Sequence, residues 1–285
     1  MTRNDFTVAA LGFVSLTASA CVAGPETDDE LVGAARSAAF NENALNGNAL
    51  NGNALNGNGL QPTALTPSML GANALRPSTM SAEALSALRD PGENGDLSRQ
   101  LLKYAVSCAF TSSQSFELTW TDERDVVHVD AYTGLLGLAP GWSSHALSSA
   151  GQQWVSACLI SRVNYFGVSV TLSSRGSLPE LAASSAEQAA FTRMEGAFWG
   201  NVFAATPVAY ACDHVPNDEH SRSRDRVCAA GYVDGSGGVL SCGIIQRVGS
   251  CVTTCSDPNR GDGYAGCSAG AGQSSSPYVI TVFLE

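Results

Sequence analysis

Two stretches decide the fold class: LSRQLLKYAVSCAF (residues 97–110) and SSAGQQWVSACLISRVNYF (residues 148–166). In the first, Leu101, Leu102, Ala105 and Cys108 fall on one face at helical spacing, and Asp96 or Ser98 is placed to cap the start. In the second, Trp154, Val155, Cys158, Leu159 and Val163 do the same. Each apolar face carries one cysteine, which points to a bridge from Cys108 to Cys158. Closing that loop contributes about 3–5 kcal/mol in the chain-entropy description.

Strand patterns surround the two helices. SFELTW (115–120) and DVVHVDA (125–131) alternate apolar and polar residues around the turn TDER, as a β-hairpin does. VSVTLSS, VAYAC and the terminal SPYVITVFLE read as further strands, and GLLGLAPGW (134–142) as a Gly/Pro loop lying on the domain surface. S-x-x-E/Q patterns at Ser184–Glu187 and Ser185–Gln188 predict a short helix. The expected class is α+β: an antiparallel sheet, two main helices and a disulfide-stapled, loop-rich end, together spanning 96–285.

Charged residues make up only 14% of the chain, yet its net charge is −11. Anionic nucleic acid and anionic lipid surfaces repel such a protein, which argues against both as sequence-independent partners. The N-terminus MTRNDFTVAALGFVSLTASAC carries Arg3, an apolar run from Phe6 to about Leu16, and then small residues. The run is too short for a bilayer, which needs ~20 apolar residues, and fits a signal peptide over 1–20.

The cleavage region Ala18-Ser19-Ala20-Cys21 resembles a bacterial lipobox, with Ala in place of the preferred first Leu. The resemblance implies lipidation of Cys21 and a membrane anchor; the plainer alternative is an ordinary signal peptide cut nearby. Val22, rather than Asp, after the lipidated position implies the outer membrane. Cysteine parity agrees with the anchor. Of nine cysteines, Cys21 leaves eight: Cys108, Cys158, Cys212, Cys228, Cys242, Cys251, Cys255 and Cys267. Eight make four disulfides in an exported protein. The last six permit fifteen pairings, of which Cys212–Cys228 is a guess from proximity.

After a linker over 21–39, a large apolar residue returns every five positions from Phe40 through Leu45, Leu50, Leu55, Leu60, Leu65, Leu70, Leu75 and Met80 to Leu85. Gly47, Gly52, Gly57, Pro62, Pro67 and Pro77 stand two residues after it, where a turn is formed. A period of five suits neither a helix nor a flat strand. Residues 40–88 resemble pentapeptide repeats, which implies a short β-solenoid. Asn and Ala are exchanged relative to that family's pattern, and ten repeats make few coils. The alternative is an extended spacer with a reach of ~40–50 Å for ~65 flexible residues. DPGENGD (90–96) supplies turn residues, so 89–95 reads as a linker into the domain.

Together with the Ala-Leu-Asn-Gly repeats, LLKYAVSCAF, GLLGLAPGW and EGAFWGNVF are similar to uncharacterised bacterial predicted lipoproteins. That resemblance implies architecture and location in the cell envelope, without an activity.

Catalytic signatures are absent from the sequence: it contains no G-x-S-x-G, H-E-x-x-H or G-x-x-x-x-G-K-[ST]. GYVDGSGG sits among cysteines and reads as a turn. Of the four histidines, His128 lies on the hairpin face opposite Val127 and Val129, and His145 stands alone. CDHVPNDEH gathers Asp213, His214, Asp218, Glu219 and His220, but without a known ligand spacing, and reads as a solvated loop. Asp257, Asn259 and Asp262 resemble a calcium loop only superficially, because the series and the closing Glu are wrong. No catalytic residue, metal ligand or cofactor is therefore assigned.

Two functions compete. The first is a membrane-anchored extracytoplasmic lipoprotein whose disulfide-rich domain binds an extracellular or envelope ligand or supports the envelope. The second is an anchored extracellular hydrolase with an unfamiliar site, since ~190 residues can enclose a pocket. A cleft lined by His and carboxylates favours the hydrolase. A flat surface with exposed aromatics, such as Trp142 or Trp199, favours binding.

Overall fold

The computed structural model describes residues 40–42, 45–46, 65–164, 171–214, 232–233, 239–240, 244–256, 262–270 and 272–285. The expected signal peptide over 1–20, Cys21, the expected 21–39 linker, most of the five-residue phase before residue 65, and Cys228 and Cys242 lie outside the described residues.

The order of elements begins with strands β1 (Phe40–Glu42) and β2 (Leu45–Asn46), then helices α1 (Pro67–Gly71), α2 (Ala82–Arg89) and α3 (Glu93–Ala109). The hairpin β3 (Ser115–Thr121) and β4 (Val127–Thr133) precedes α4 (Ser149–Ser161), β5 (Val163–Asn164) and β6 (Thr171–Arg175). Then follow α5 (Ser185–Ala190), β7 (Arg193–Asn201), β8 (Val208–Asp213), β9 (Tyr232–Val233) and β10 (Val239–Leu240). The last elements are β11 (Ile245–Ser250), α6 (Cys251–Thr254) and β12 (Ile280–Leu284).

A six-stranded sheet in the order β1-β6-β12-β7-β8-β11 organises the molecule. It is mixed rather than purely antiparallel, because β11 runs parallel to β8 with Ile245 opposite Ala209. The two expected main helices are α3 and α4, and α4 lies against β7, β8 and β12. Alternation along the strands divides the sheet into two packed faces. Phe198, Ala211, Ile280 and Val282 join the α3 and α4 side chains in the main core. Ala197, Trp199 and Cys212 join a second cluster with Cys251, Tyr264, Cys267 and Val279.

Strand β7 was not expected; its sequence read as the tail of a short helix. The helix α5 is there, started by Ser184, whose side chain accepts from the Glu187 N–H. It stops at Ala190, and nine residues of strand follow. With both faces of β7 covered, its sequence lacks the alternation that marks a half-buried strand.

Residues 65–88 are neither solenoid nor extended spacer among the described residues. Pro67 opens α1 and Pro77 opens a 3-10 turn, Pro77–Thr79. Thr66 and Ser81 cap α1 and α2 with their side chains. The five-residue phase therefore punctuates short helical turns. Its apolar positions Leu65, Leu70 and Leu75 are buried in the same core as Leu101 and Leu102. Long-range bonds fix the segment: Leu65 N–H donates to Ser98 Oγ at 3.1 Å, Leu75 N–H to the Trp142 carbonyl at 2.7 Å, and Trp142 Nε1–H to the Asn73 carbonyl at 3.0 Å.

The expected linker 89–95 also differs, because α3 begins at Glu93 with Gly92 as its cap, a turn earlier than Asp96 or Ser98 allow. Ser98 Oγ instead donates to the Asn94 carbonyl within the helix. At Gly95 a Cβ would come within 1.8 Å of the Asp90 carbonyl oxygen, so α2 and α3 meet only over a glycine.

The GLLGLAPGW loop is also core rather than surface. Leu136 and Trp142 are buried, and Leu136, Leu138 and Ala139 N–H groups donate to the carbonyls of Ser107, Cys108 and Ala109 at 2.9–3.1 Å. The loop thus satisfies the orphan carbonyls at the end of α3.

Cys108 on α3 is bonded to Cys158 on α4, Cys212 to Cys251, and Cys255 to Cys267. The proximity guess Cys212–Cys228 is thereby corrected. The parallel pairing of β8 with β11 sets Ser250 beside Asp213, which brings Cys251 to Cys212 across the sheet edge.

Two stability measurements test this packing. Leu70→Ala should cost about 2–5 kcal/mol in denaturant unfolding, as for other buried leucines; a spacer residue would change it by no more than ~0.5 kcal/mol. Replacing Cys108 and Cys158 together by Ser should cost about 4 kcal/mol for a loop of this length, with separation 50.

Candidate functional site

Two places combine described polar groups with access to solvent: the β3–β4 hairpin and a cleft beside Tyr264. The hairpin is a two-stranded sheet on its own, with Trp120 opposite His128 and Leu118 opposite Asp130. The turn is built by Asp122, whose Oδ1 accepts N–H bonds from Arg124 and Val126, both at 2.9 Å. Asp125 takes a positive φ of 62°, a conformation Asp tolerates better than most residues. Asp122 Oδ2 pairs with His128 Nε2 at 3.1 Å. That contact and the backbone donors hold the Asp122 carboxyl below the usual carboxylate range.

The inner face of the hairpin is locked onto the helices. Phe116 and Leu118 are buried, and Arg99 of α3 stacks its guanidinium on the Trp120 ring at 3.6 Å. The same guanidinium donates to the carbonyls of Leu88 and Asp90 at 2.9 and 2.8 Å and pairs with Asp96. A cation at the carbonyl end of α2 is favourable for the helix dipole. Trp120 Nε1–H and Tyr132 O–H both donate to Asp130 Oδ2, at 2.8 and 3.0 Å. The His128 ring stacks on Trp120 with centroids 4.5 Å apart. Burial, and then the bond to Asp130, push the Tyr132 phenol above its ordinary pKa.

The outer face is the reverse. Val127 is 62% and Val129 68% exposed, and Val126 at the turn is 49% exposed. They are three of the four exposed large hydrophobic residues among the described residues. A rigid polar clamp beneath thus supports an apolar strand face above. His128 lies on the face opposite Val127 and Val129 as the alternation requires, but it is clamped rather than free.

The cleft encloses about 370 Å³ and is lined by Ser177, Leu178, Pro179, Asp262 and Tyr264 among others. Gly263 shapes it: with φ +83° it brings the chain so close that a Cβ would meet Thr281 Oγ1 at 2.3 Å. Tyr264 N–H then donates to that same Thr281 oxygen at 2.9 Å. The Tyr264 hydroxyl and His214 Nδ1 are 2.7 Å apart. Behind the cleft, buried Arg175 donates to Ser173 Oγ and to the Phe191 carbonyl, both at 2.8 Å, and lies over the Phe283 ring at 3.8 Å. Burial lowers its pKa, and the charges of Glu187 and Asp262 oppose that shift.

Of the polar residues singled out in the sequence, Asp213 and His214 are placed by the end of β8 rather than by a solvated loop. Asp213 is buried and pairs with Arg247. Asp218, Glu219 and His220, with Asp257 and Asn259, lie outside the described residues, and His145 is exposed away from these groups. Asp262 stands at the cleft. Trp142 and Trp199 are buried, at 1% and 2%, so neither offers an exposed aromatic surface. Trp142 packs edge-on against Phe203, and Trp199 lies tilted against Tyr210. Sequence reasoning missed Arg99, Asp130 and Tyr132. Asp130 and Tyr132, two apart on one strand, share a face; Arg99 could not be found from spacing.

The clamp has a pH signature. A phenol with a raised folded pKa contributes stability fully below its unfolded value, ~10, and loses it as pH climbs from there toward the folded value. Stability should therefore fall above about pH 10, and Tyr132→Phe should flatten that fall in urea titrations. An unchanged alkaline profile in the variant would contradict the clamp.

No protein-family model matches the chain, and comparison with curated proteins and with solved structures finds no match.

Proposed function

We propose that this chain is a membrane-anchored extracytoplasmic lipoprotein whose disulfide-stapled domain binds an extracellular or envelope component through the β3–β4 hairpin. The observation that carries the binding part is the solvent-facing pair Val127 and Val129 on a strand held rigid from below. Exposed apolar side chains at adjacent same-face positions of a fixed strand serve recognition more readily than stability. Support for the anchor comes from the lipobox-like Ala18-Ser19-Ala20-Cys21 and from cysteine parity. Among the described residues no helix is long and apolar enough to cross a membrane.

The hydrolase reading draws on one arrangement, the contact of His214 with Tyr264, a residue that lines the cleft together with Asp262. A phenol held by an imidazole can pass a proton. The binding reading stands first because Val127 and Val129 are exposed on a strand whose opposite face is bonded to the helices.

Labelling with a palmitate analogue should mark the protein, and Cys21→Ala should abolish the mark; a label that survives removes the anchor. The unlipidated Cys21→Ala form should co-sediment with purified envelope. Adding Val127→Asp and Val129→Asp should weaken that association roughly tenfold or more, as expected when over ~1.4 kcal/mol of apolar contact is lost. Equal sedimentation of the two forms would rule out the hairpin as the binding face.

A further inference from the structure

The sulfur atoms on the second face of the sheet are gathered more closely than two independent staples need. Cys212 stands one residue before the end of strand β8, while Cys251 and Cys255 stand one helical turn apart across α6, with Cys255 N–H donating to the Cys251 carbonyl at 2.9 Å. Cys267 faces Cys255 in an isolated antiparallel bridge. Two disulfides therefore lie side by side, with Cys212 Sγ only 3.5 Å from Cys255 Sγ. The sulfurs of Cys212, Cys255 and Cys267 all fall within 4.8 Å of one another, and Cys251 is bonded to the first of them.

We propose that these four cysteines form a two-state site: two disulfides when oxidised, and a thiolate site for a soft divalent cation of the Zn²⁺ class when reduced. Tetrahedral zinc thiolates place sulfurs ~3.8 Å apart at Zn–S distances of ~2.3 Å. The Cys212–Cys255 contact already has nearly that spacing; the two bonded pairs must part, and Cys251, whose sulfur lies outside the 4.8 Å group, must move in as the fourth ligand. Four thiolates satisfy the preference of such cations for soft ligands in a closed tetrahedron. The backbone that carries them is fixed by the β8–β11 pairing and by the bonds of Cys267 with Ser276 at 2.8 and 3.0 Å.

Access is one-sided. Cys212, Cys251 and Cys267 are buried, and Cys255 is half-exposed, so an external reductant meets Cys255 first. A dithiol attacks Cys255 Sγ, its second thiol releases it, and the dithiol leaves as a disulfide while Cys255 and Cys267 become thiols. The Cys255 thiolate, in contact with Cys212, then opens Cys212–Cys251 by exchange, and a second dithiol completes the reduction. Each opened disulfide takes up two electrons and two protons. Binding of Zn²⁺ forms four Zn–S bonds and releases four protons.

The test uses the mature full chain, reduced anaerobically with a phosphine and then freed of it. One Zn²⁺ per chain should bind, against a chromophoric zinc chelator, and Co²⁺ in its place should give thiolate-to-metal charge-transfer absorption. The oxidised chain should bind neither ion. With Zn²⁺ present, alkylation mapped by mass should spare Cys212, Cys251, Cys255 and Cys267 and mark Cys228 and Cys242. Cys255→Ser with Cys267→Ser should lose tight binding, while Cys228→Ser with Cys242→Ser should keep it. Because the first pair also removes a staple, the alkylation map on the unaltered chain is the deciding measurement. No zinc bound by the reduced chain, or protection spread evenly over all cysteines, would overturn the proposal.

Discussion

Helix α4 is buried almost all round, and the rest of the molecule is arranged to cover it. Every residue from Trp154 to Ser161 is buried. A helix apolar on all sides must find partners on all sides. The sheet strands β7, β8 and β12 cover one side, α3 another, and the Cys108–Cys158 bond locks the two helices together. Its polar atoms are satisfied inside: Ser156 Oγ donates to the Gln152 carbonyl at 2.6 Å and accepts the Val202 N–H at 2.9 Å. Loss of that second bond would leave a buried donor without a partner, which costs about 1–3 kcal/mol.

The demand for cover propagates outward. Because α3 packs on α4, its own far side needs α2 and the hairpin, and Arg99 joins those two through the α2 carbonyls and the Trp120 ring. Among the described residues the hairpin forms a two-stranded sheet of its own, and its outer face displays Val127 and Val129. On the other side of the sheet there is no long helix among the described residues. Disulfides and a second apolar cluster around Trp199 and Tyr264 do that work, and the cleft and the four-sulfur group both lie in this layer. Among the described residues the candidate functional places are thus the two margins where cover stops.

Much of this was legible in the sequence where periodicity is local. The helical spacing around Cys108 and Cys158, the hairpin alternation from Ser115 to Thr133 and the terminal strand before Glu285 need only near neighbours to be recognised. Strand β7 escaped because both of its faces are covered, which removes the alternation. Over residues 65–88 the five-residue phase is neither the solenoid nor the extended spacer it was expected to be: Pro67, Pro77, Thr66 and Ser81 start short helices just as well as they turn corners. The candidate site fared worse. Asp122 and His128 could be paired from a hairpin register, but Arg99 comes from another element and Tyr264 meets His214 across fifty positions.

The sequence by itself determined that helices and strands are mixed, and where the two long helices and the hairpin fall, since each follows from side-chain period along a continuous segment. Tertiary structure alone decided that residues 65–89 belong to the core, that β11 runs parallel to β8, and that Cys212 meets Cys251 rather than Cys228. The reason is physical. Burial and bonding partners between distant segments depend on which surfaces remain uncovered after the local elements form, and a periodic pattern carries no record of its neighbour.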